Sequence, residues 1–264
     1  SASKFVPEQF ADGFLRSMPE RYLFANPLDR ITTEMTLAYD AREETARVRV
    51  ISVQEPYVEL AVIANDAPGL LAKICATFSA ARFKVVSAQI YSWTNPDGSD
   101  RVLDLFWVRA GNDSAQAQRA VPGVQTELRR LLAGEISADD LVPSRGQEMR
   151  WNSRPAPKIE ARVNIDSRSA TNHTIVEVVT RDRRDLLYRL SRAISECGLS
   201  IYLAKINTEG DRVADVFYVC KPGGSKVTEQ AEMAALEQTL LQTIADLEGA
   251  ALVVEPAAQA DAEH

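Results

Sequence analysis

The sequence predicts an α+β fold: two ferredoxin-like βαββαβ modules in tandem, preceded by a short helical segment. Two observations carry this. The chain repeats itself, because Asn65-Asp66-Ala67-Pro68-Gly69-Leu70-Leu71 aligns with Arg181-Asp182-Arg183-Arg184-Asp185-Leu186-Leu187 at an offset of 116 positions (181 minus 65). The alignment then continues through Ser87-Ala88-Gln89-Ile90 on Leu203-Ala204-Lys205-Ile206, and through Arg101 to Val108 on Arg212 to Val219, with its one gap in a turn. Within each copy, moreover, the apolar period changes in the same order, from strand to helix, to two strands, to helix.

The elements follow in turn. Glu8 to Arg16 and Pro27 to Tyr39 read as helices, the second with Asn26 as cap and Pro27 in its first turn. Tyr57 to Ala64 and Thr174 to Thr180 are short and rich in Val and Ile, as strands are. Leu70, Ile74, Ala81 with Leu71 and Phe78, and Leu186, Leu190, Ile194 with Leu187, recur at helical spacing. Asp66 and Asp182 stand near the starts of these helices and are equally readable as plain caps. Lys84 to Trp93 with Val102 to Val108, and Leu199 to Thr208 with Arg212 to Cys220, form hairpins around the turn residues Asn95-Pro96-Asp97-Gly98 and Glu209-Gly210-Asp211. Ala115 to Leu132 and Thr228 to Leu247 are the second helices, and this order puts both helices of a module on one face of its sheet.

For the fourth strand, Arg47 to Val53 and Ile159 to Ile165 precede the first strand of each copy, and a preceding hairpin strand would fill the sheet edge. Only the second copy also offers a late strand, Ala251 to Val254. The expected division is a helical connector at 1–45, a first module at 46–137, a linker at 138–157 rich in Pro and Arg, a second module at 158–256 and a disordered tail at 257–264. Exposed sheet edges should be paired or covered, so the modules are expected to meet side by side or to pair across a homodimer.

Composition excludes several functions. With 30 Lys and Arg against 37 Asp and Glu in 264 residues, the formal charge of -7 repels nucleic-acid phosphates and anionic lipid. Neither nucleic acid nor membrane is expected as a partner, and no apolar run approaches the roughly 20 residues of a span. The expected location is the cytoplasm. Cys75, Cys197 and Cys220 stand singly, as buried reduced thiols do. The first residue is Ser1, which reads as a fragment of a longer chain.

The loop Asp66-Ala67-Pro68-Gly69-Leu70 opening a helix of such a module resembles the ACT domain, an amino-acid-binding regulatory module. With the second copy, Ser17-Met18-Pro19-Glu20-Arg21-Tyr22-Leu23, Asn164-Ile165-Asp166-Ser167 and Arg212-Val213-Ala214-Asp215-Val216-Phe217-Tyr218-Val219, the chain is similar from about Phe10 to Leu247 to the C-terminal part of the bifunctional PII uridylyltransferase/uridylyl-removing enzymes. The resemblance implies glutamine sensing in nitrogen regulation, with the catalytic domains of a parent chain, and through it the PII protein, as partners. This chain departs from the family's pattern at Arg184 and Asp185, where Pro and Gly are usual, and at Lys84 and Ser200, where Asn is frequent.

The candidate ligand-binding residues are Asn65, Asp66, Ala67, Pro68, Gly69, Leu70, Lys84, Val85, Asp182 and Ser200. Free N–H groups at the start of the helix after Gly69 can take a ligand carboxylate. Gly69, having no Cβ, lets a ligand or another backbone come close, and Asp66 can hold an ammonium through a charge-assisted bond. Millimolar sensing requires only about 4 kcal/mol. The intact Pro68-Gly69 favours the first loop, while Lys84 is also readable as a solvated edge residue. His173 is expected to be structural or at the surface, and the arginines at 181, 183 and 184 a solvated loop. Nothing catalytic and no metal or cofactor is expected: nucleotidyl transfer needs clustered carboxylates, and metal-dependent hydrolysis needs more histidines than the two present. The remaining alternative is a structural or oligomerisation module that binds nothing small.

Overall fold

A computed structural model describes residues 6–95, 97–142 and 159–252. Pro96, most of the expected linker, Val253, Val254 and the expected tail lie outside these residues.

The first sheet comprises β1 (Ala46–Gln54), β2 (Tyr57–Asn65), β3 (Lys84–Thr94) and β4 (Asp100–Arg109), in the order β1-β2-β4-β3 with every pair antiparallel. The second comprises β5 (Arg162–Asp166), β6 (Thr174–Arg181), β7 (Ser200–Lys205) and β9 (Arg212–Cys220), in the order β5-β6-β9-β7. A two-residue strand, β8 (Thr208–Glu209), also pairs with β9. Each sheet is therefore an α+β, ferredoxin-like arrangement whose fourth position is taken by the strand before the first repeat strand, as the Arg47 and Ile159 segments suggested. The first two residues of the expected late strand, Ala251 and Leu252, belong instead to α8 (Gln230–Leu252). Ala and Leu at 251 and 252 are strong helix formers, and continuing a helix already nucleated costs less than starting a strand.

On one face of the first sheet lie α4 (Leu70–Ala80) and α5 (Ser114–Leu132), and on the corresponding face of the second lie α7 (Leu186–Glu196) and α8. Leu60, Val62 and Ala64 of β2 point toward α4 and α5, and Val176 and Val178 of β6 toward α7 and α8, all within one continuous core. The continuity arises because α4 packs on α7 and β3 lies beside β7, so the modules meet side by side within one chain. The linker is not featureless where it is described. Ser137 caps a single turn, α6 (Ala138–Leu141), whose end buries Val142 in the shared core.

The other face of the first sheet is covered too, which the strand-helix order alone does not foresee. Here α1 (Glu8–Ser17), α2 (Glu20–Ala25) and α3 (Leu28–Asp40) bury Phe10, Phe14, Tyr22 and Ile31 against Ala61, Ile63, Tyr91, Trp93, Leu103 and Leu105. Period-two alternation thus sends both sets of β2 side chains into a core. The rings interlock, with Phe14 and Trp93 centroids 5.5 Å apart and Tyr22 and Tyr91 4.9 Å apart. Buried Glu34 accepts from Tyr22 Oη at 2.6 Å and from Arg30 Nε at 2.8 Å, and Arg30 also bonds Glu59 of β2. Arg101, 2% exposed, donates to the carbonyls of Ala41, Arg42 and Glu44 and so ties the end of this helical segment to β4. Two smaller expectations change as well. Pro27 itself occupies the cap of α3, while Asn26 donates back to the Tyr22 carbonyl. Of the cysteines only Cys75 is buried; Cys197 is exposed and Cys220 half-buried, all three being free thiols.

Candidate functional site

The repeat makes the module interface nearly two-fold. Position for position, Leu70–Ala80 corresponds to Leu186–Glu196 at the same offset of 116, and Lys84 to Ser200. Contacts across the α4–α7 interface therefore come in pairs. Gly69 faces Ser195, and its counterpart Asp185 faces Ser79, whose hydroxyl bonds the Asp185 carboxylate. Cys75 is hydrogen-bonded with its own counterpart, Ser191.

The helix starts are set by backbone conformation rather than by the aspartates. Gly69, at φ +73°, and Asp185, at φ +63°, are the N-terminal caps of α4 and α7, and neither makes a side-chain capping bond to its own helix. Asp66 and Asp182 lie upstream and are not caps. Left-handed φ is unstrained for Gly and costs a residue with a Cβ about 1 to 2 kcal/mol. A Cβ on Gly69 would also come within 3.2 Å of Ser195 Oγ. Gly69 is needed first for this turn and for the close approach of α7.

A cleft of about 350 Å³ opens where the first loop meets α7 and β7. Asp66, Ala67, Pro68, Gly69 and Leu70 line one side, and Ser191, Ser195, Ser200, Ile201 and Tyr202 the other. Ser92, Thr94, Asp100 and Asp104 from the β3–β4 hairpin close the end. Six of the ten candidates meet here: the five loop residues and Ser200. The remaining four do not. Asn65 Oδ1 accepts from Arg101 Nη1 at 2.6 Å, a bond between β2 and β4 that orients the guanidinium holding the helical segment. Val85 packs against the shared core. Lys84 and Asp182 meet each other on the opposite side of the pseudo-two-fold, Nζ to Oδ2 2.5 Å. Their counterparts Ser200 and Asp66 line the open cleft.

The cleft is acidic, and none of its lining residues is Lys, Arg or His. Asp104, 1% exposed, has its carboxyl raised well above the usual carboxylate range, by burial first and then by neighbouring Asp66, against a bond from the Tyr91 N–H. Its Oδ1 has no hydrogen-bond partner. Asp66 is also raised, mainly by burial and further by Asp100, while the Ala67 N–H and the Ser92 hydroxyl bond it and pull the other way. In the second module Asp215 stands where Asp104 stands in the first, and burial lifts its carboxyl to about 7. The site residues absent from the candidates thus include Asp104, Ser92 and Asp100 of the first sheet and the α7 serines Ser191 and Ser195. A sequence signal for Asp104 existed: an aspartate at the centre of an otherwise apolar strand, in Leu103-Asp104-Leu105 and again in Ala214-Asp215-Val216. His173 stacks on Tyr202 with centroids 4.2 Å apart, and of the loop arginines Arg181 and Arg183 are half-buried rather than solvated. Among the described residues no three His, Cys, Asp or Glu side chains are placed to hold a metal, and no helix is long and apolar enough to cross a membrane.

Two such sheets, side by side with paired helices on one face, define a tandem of ACT-type modules, the regulatory class. A family described as ACR9-like, ACT-like domain matches residues 162–247. The chain is similar to the bifunctional uridylyltransferase/uridylyl-removing enzyme of Azospirillum brasilense, with 32% identity over 78% of this chain and 22% of that protein. It is similar also to those of Gluconobacter oxydans, with 29% identity over 90% and 25%, and of a Bradyrhizobium species, with 34% identity over 73% and 20%. The regulatory subunit of aspartate kinase from Thermus thermophilus aligns over 76% of this chain and 96% of its own at 14% identity, with a TM-score of 0.20 that supports no conclusion. The chain is a tandem ACT region related to the uridylyltransferase/uridylyl-removing enzymes, and it spans between a fifth and a quarter of their length.

Proposed function

We propose that this region senses free glutamine for a uridylyltransferase/uridylyl-removing parent, without catalysing either reaction itself, and that the sensing site is the cleft between the first loop and β7. The observation that supports this best is the asymmetry of the interface: one of two equivalent positions opens as a polar cleft, and at the other Lys84 is paired with Asp182. The open position offers the N-terminus of α4 for a carboxylate, serine hydroxyls for an amide, and aspartates for an ammonium. Because both modules build its walls, occupancy would stiffen the α4–α7 and β3–β7 contacts. That gives a ligand a route to the relative setting of the modules and from there to catalytic domains and the PII protein. As expected for the relatives' reactions, a cytoplasmic setting suits this role.

The test is the thermal unfolding midpoint of the purified chain with each of the common amino acids at millimolar concentration. A ligand that binds only the folded state raises the midpoint. Glutamine is expected to raise it most; a midpoint indifferent to all of them would leave the structural or oligomerisation role.

A further inference from the structure

We propose that Asp104, with Asp66 beside it, is the seat for the positively charged amino group of whatever occupies the open cleft. This rests on the reading of the cleft as a ligand site and names the group by which the ligand is held.

Three independent features point to it. Asp104 is almost fully buried, lines the cleft and leaves Oδ1 without a partner, an arrangement that costs free energy until a donor arrives. The titratable groups around it, Asp66 and Asp100, Cys75 of α4, Tyr202 of β7 and Cys220 of β9, include no cation to supply that donor. The second module, finally, places an ammonium of the chain itself at the equivalent loop: Lys84 reaches across the interface to Asp182, the counterpart of Asp66, at 2.5 Å, while Asp215, the counterpart of Asp104, accepts from the Asn207 N–H at 3.2 Å. In the first module the residue corresponding to Lys84 is Ser200, too short and uncharged. An ammonium that one half carries on its own chain must reach the other half from solution.

Burial and the nearby Asp66 favour the protonated carboxyl of Asp104 in the ligand-free protein. An arriving ammonium favours the ionised carboxylate, so Asp104 gives up its proton to solvent as the ligand binds, and no covalent bond to the ligand forms. Affinity should then rise with pH, by at most about tenfold per unit, until Asp104 ionises in the empty protein.

Calorimetric titration of glutamine into the whole chain, in buffers of different ionisation heat between pH 6 and pH 8, reads this directly. The expected result is release of up to about one proton per site. It should be accompanied by more than tenfold weaker binding without proton release in Asp104→Asn, and by no binding of the glutamine analogue lacking the amino group. Asn copies the shape of the neutral acid, so the variant should fold; if it does not, the proton count on the unaltered chain decides. Glutamine bound without proton release and equally well by Asp104→Asn would overturn the seat and leave glutamine sensing intact. Should no amino acid bind while methylammonium raises the unfolding midpoint of the unaltered chain and not of Asp104→Asn, the seat stands and glutamine sensing falls. Binding of neither glutamine nor methylammonium would overturn both.

Discussion

At the module interface the same pair of contacts is built twice and ends differently. On one side Gly69 lies against Ser195, and Ser200, Asp66 and Asp104 line the cleft. On the other, Asp185 is bonded by Ser79, and Lys84 is clamped on Asp182. The lengths of α4 and α7 and the order of the four main strands are shared, so the difference comes from a few side chains on a common backbone. Duplicated modules thus differ at equivalent positions: Lys84, at the start of β3, pairs with Asp182 in the loop of the second module, whereas Ser200 stands at its counterpart beside the first loop. A second contrast runs alongside. The first sheet is packed on both faces, so β2 is buried almost end to end, whereas β6 alternates buried with half-buried or exposed residues because, among the described residues, only α7 and α8 cover its sheet.

The comparison can be sharpened or broken by experiment, and the largest effect expected is on pH dependence. Asp215 is 2% exposed and titrates near 7 in the fold, above its value in the unfolded chain. The folded state therefore binds more protons in between, and stability is greatest below about pH 4 and declines as pH rises to about 7. The decline attributable to this group is on the order of 4 kcal/mol. Asp215→Asn should flatten it in urea unfolding followed across that range; an unchanged slope would mean that Asp215 is not held neutral.

Next is Ser200→Lys, which gives the open side the lysine of the closed one. It should raise the unfolding midpoint of the empty chain and weaken glutamine at least about a hundredfold, or roughly 2.7 kcal/mol. Retained binding in titration would show that the two sides are not equivalent in the way the repeat suggests.

Gly69→Val forces a β-branched residue into a left-handed turn and against Ser195. A loss of about 2 kcal/mol in urea unfolding is expected from backbone strain alone. Asp185→Gly should instead relieve strain while losing the Ser79 bond, so its net change should be much smaller.

The smallest effect on stability belongs to Lys84→Ser. Both members of the ion pair are about a third exposed, so its loss should cost under about 1 kcal/mol. Its effect on binding is the informative part: opening the second side should change the titrated stoichiometry from one ligand to two, and a ratio that stays at one would break the analogy between the sides.

Much of this molecule was already legible in its sequence. The repeat at Asn65 and Arg181 located both modules, and the Val- and Ile-rich runs before Tyr57 and Thr174 located the strands that fill the sheet edges. Local periodicity and turn chemistry suffice for such features because they depend on neighbours in the chain. The loop from Asp66 to Leu70 was legible for the same reason, since Gly and Pro announce an unusual backbone locally. What the tertiary structure decided was pairing at long range. The partnership of Lys84 with Asp182, the approach of Ser195 to Gly69 and the isolation of Asp104 each join residues brought together only when α4 packs on α7. The covering of the first sheet by α1, α2 and α3 is of the same kind. Amphipathic periodicity says that a helix has a face to bury, but the surface that receives it is fixed by the packing of the whole chain.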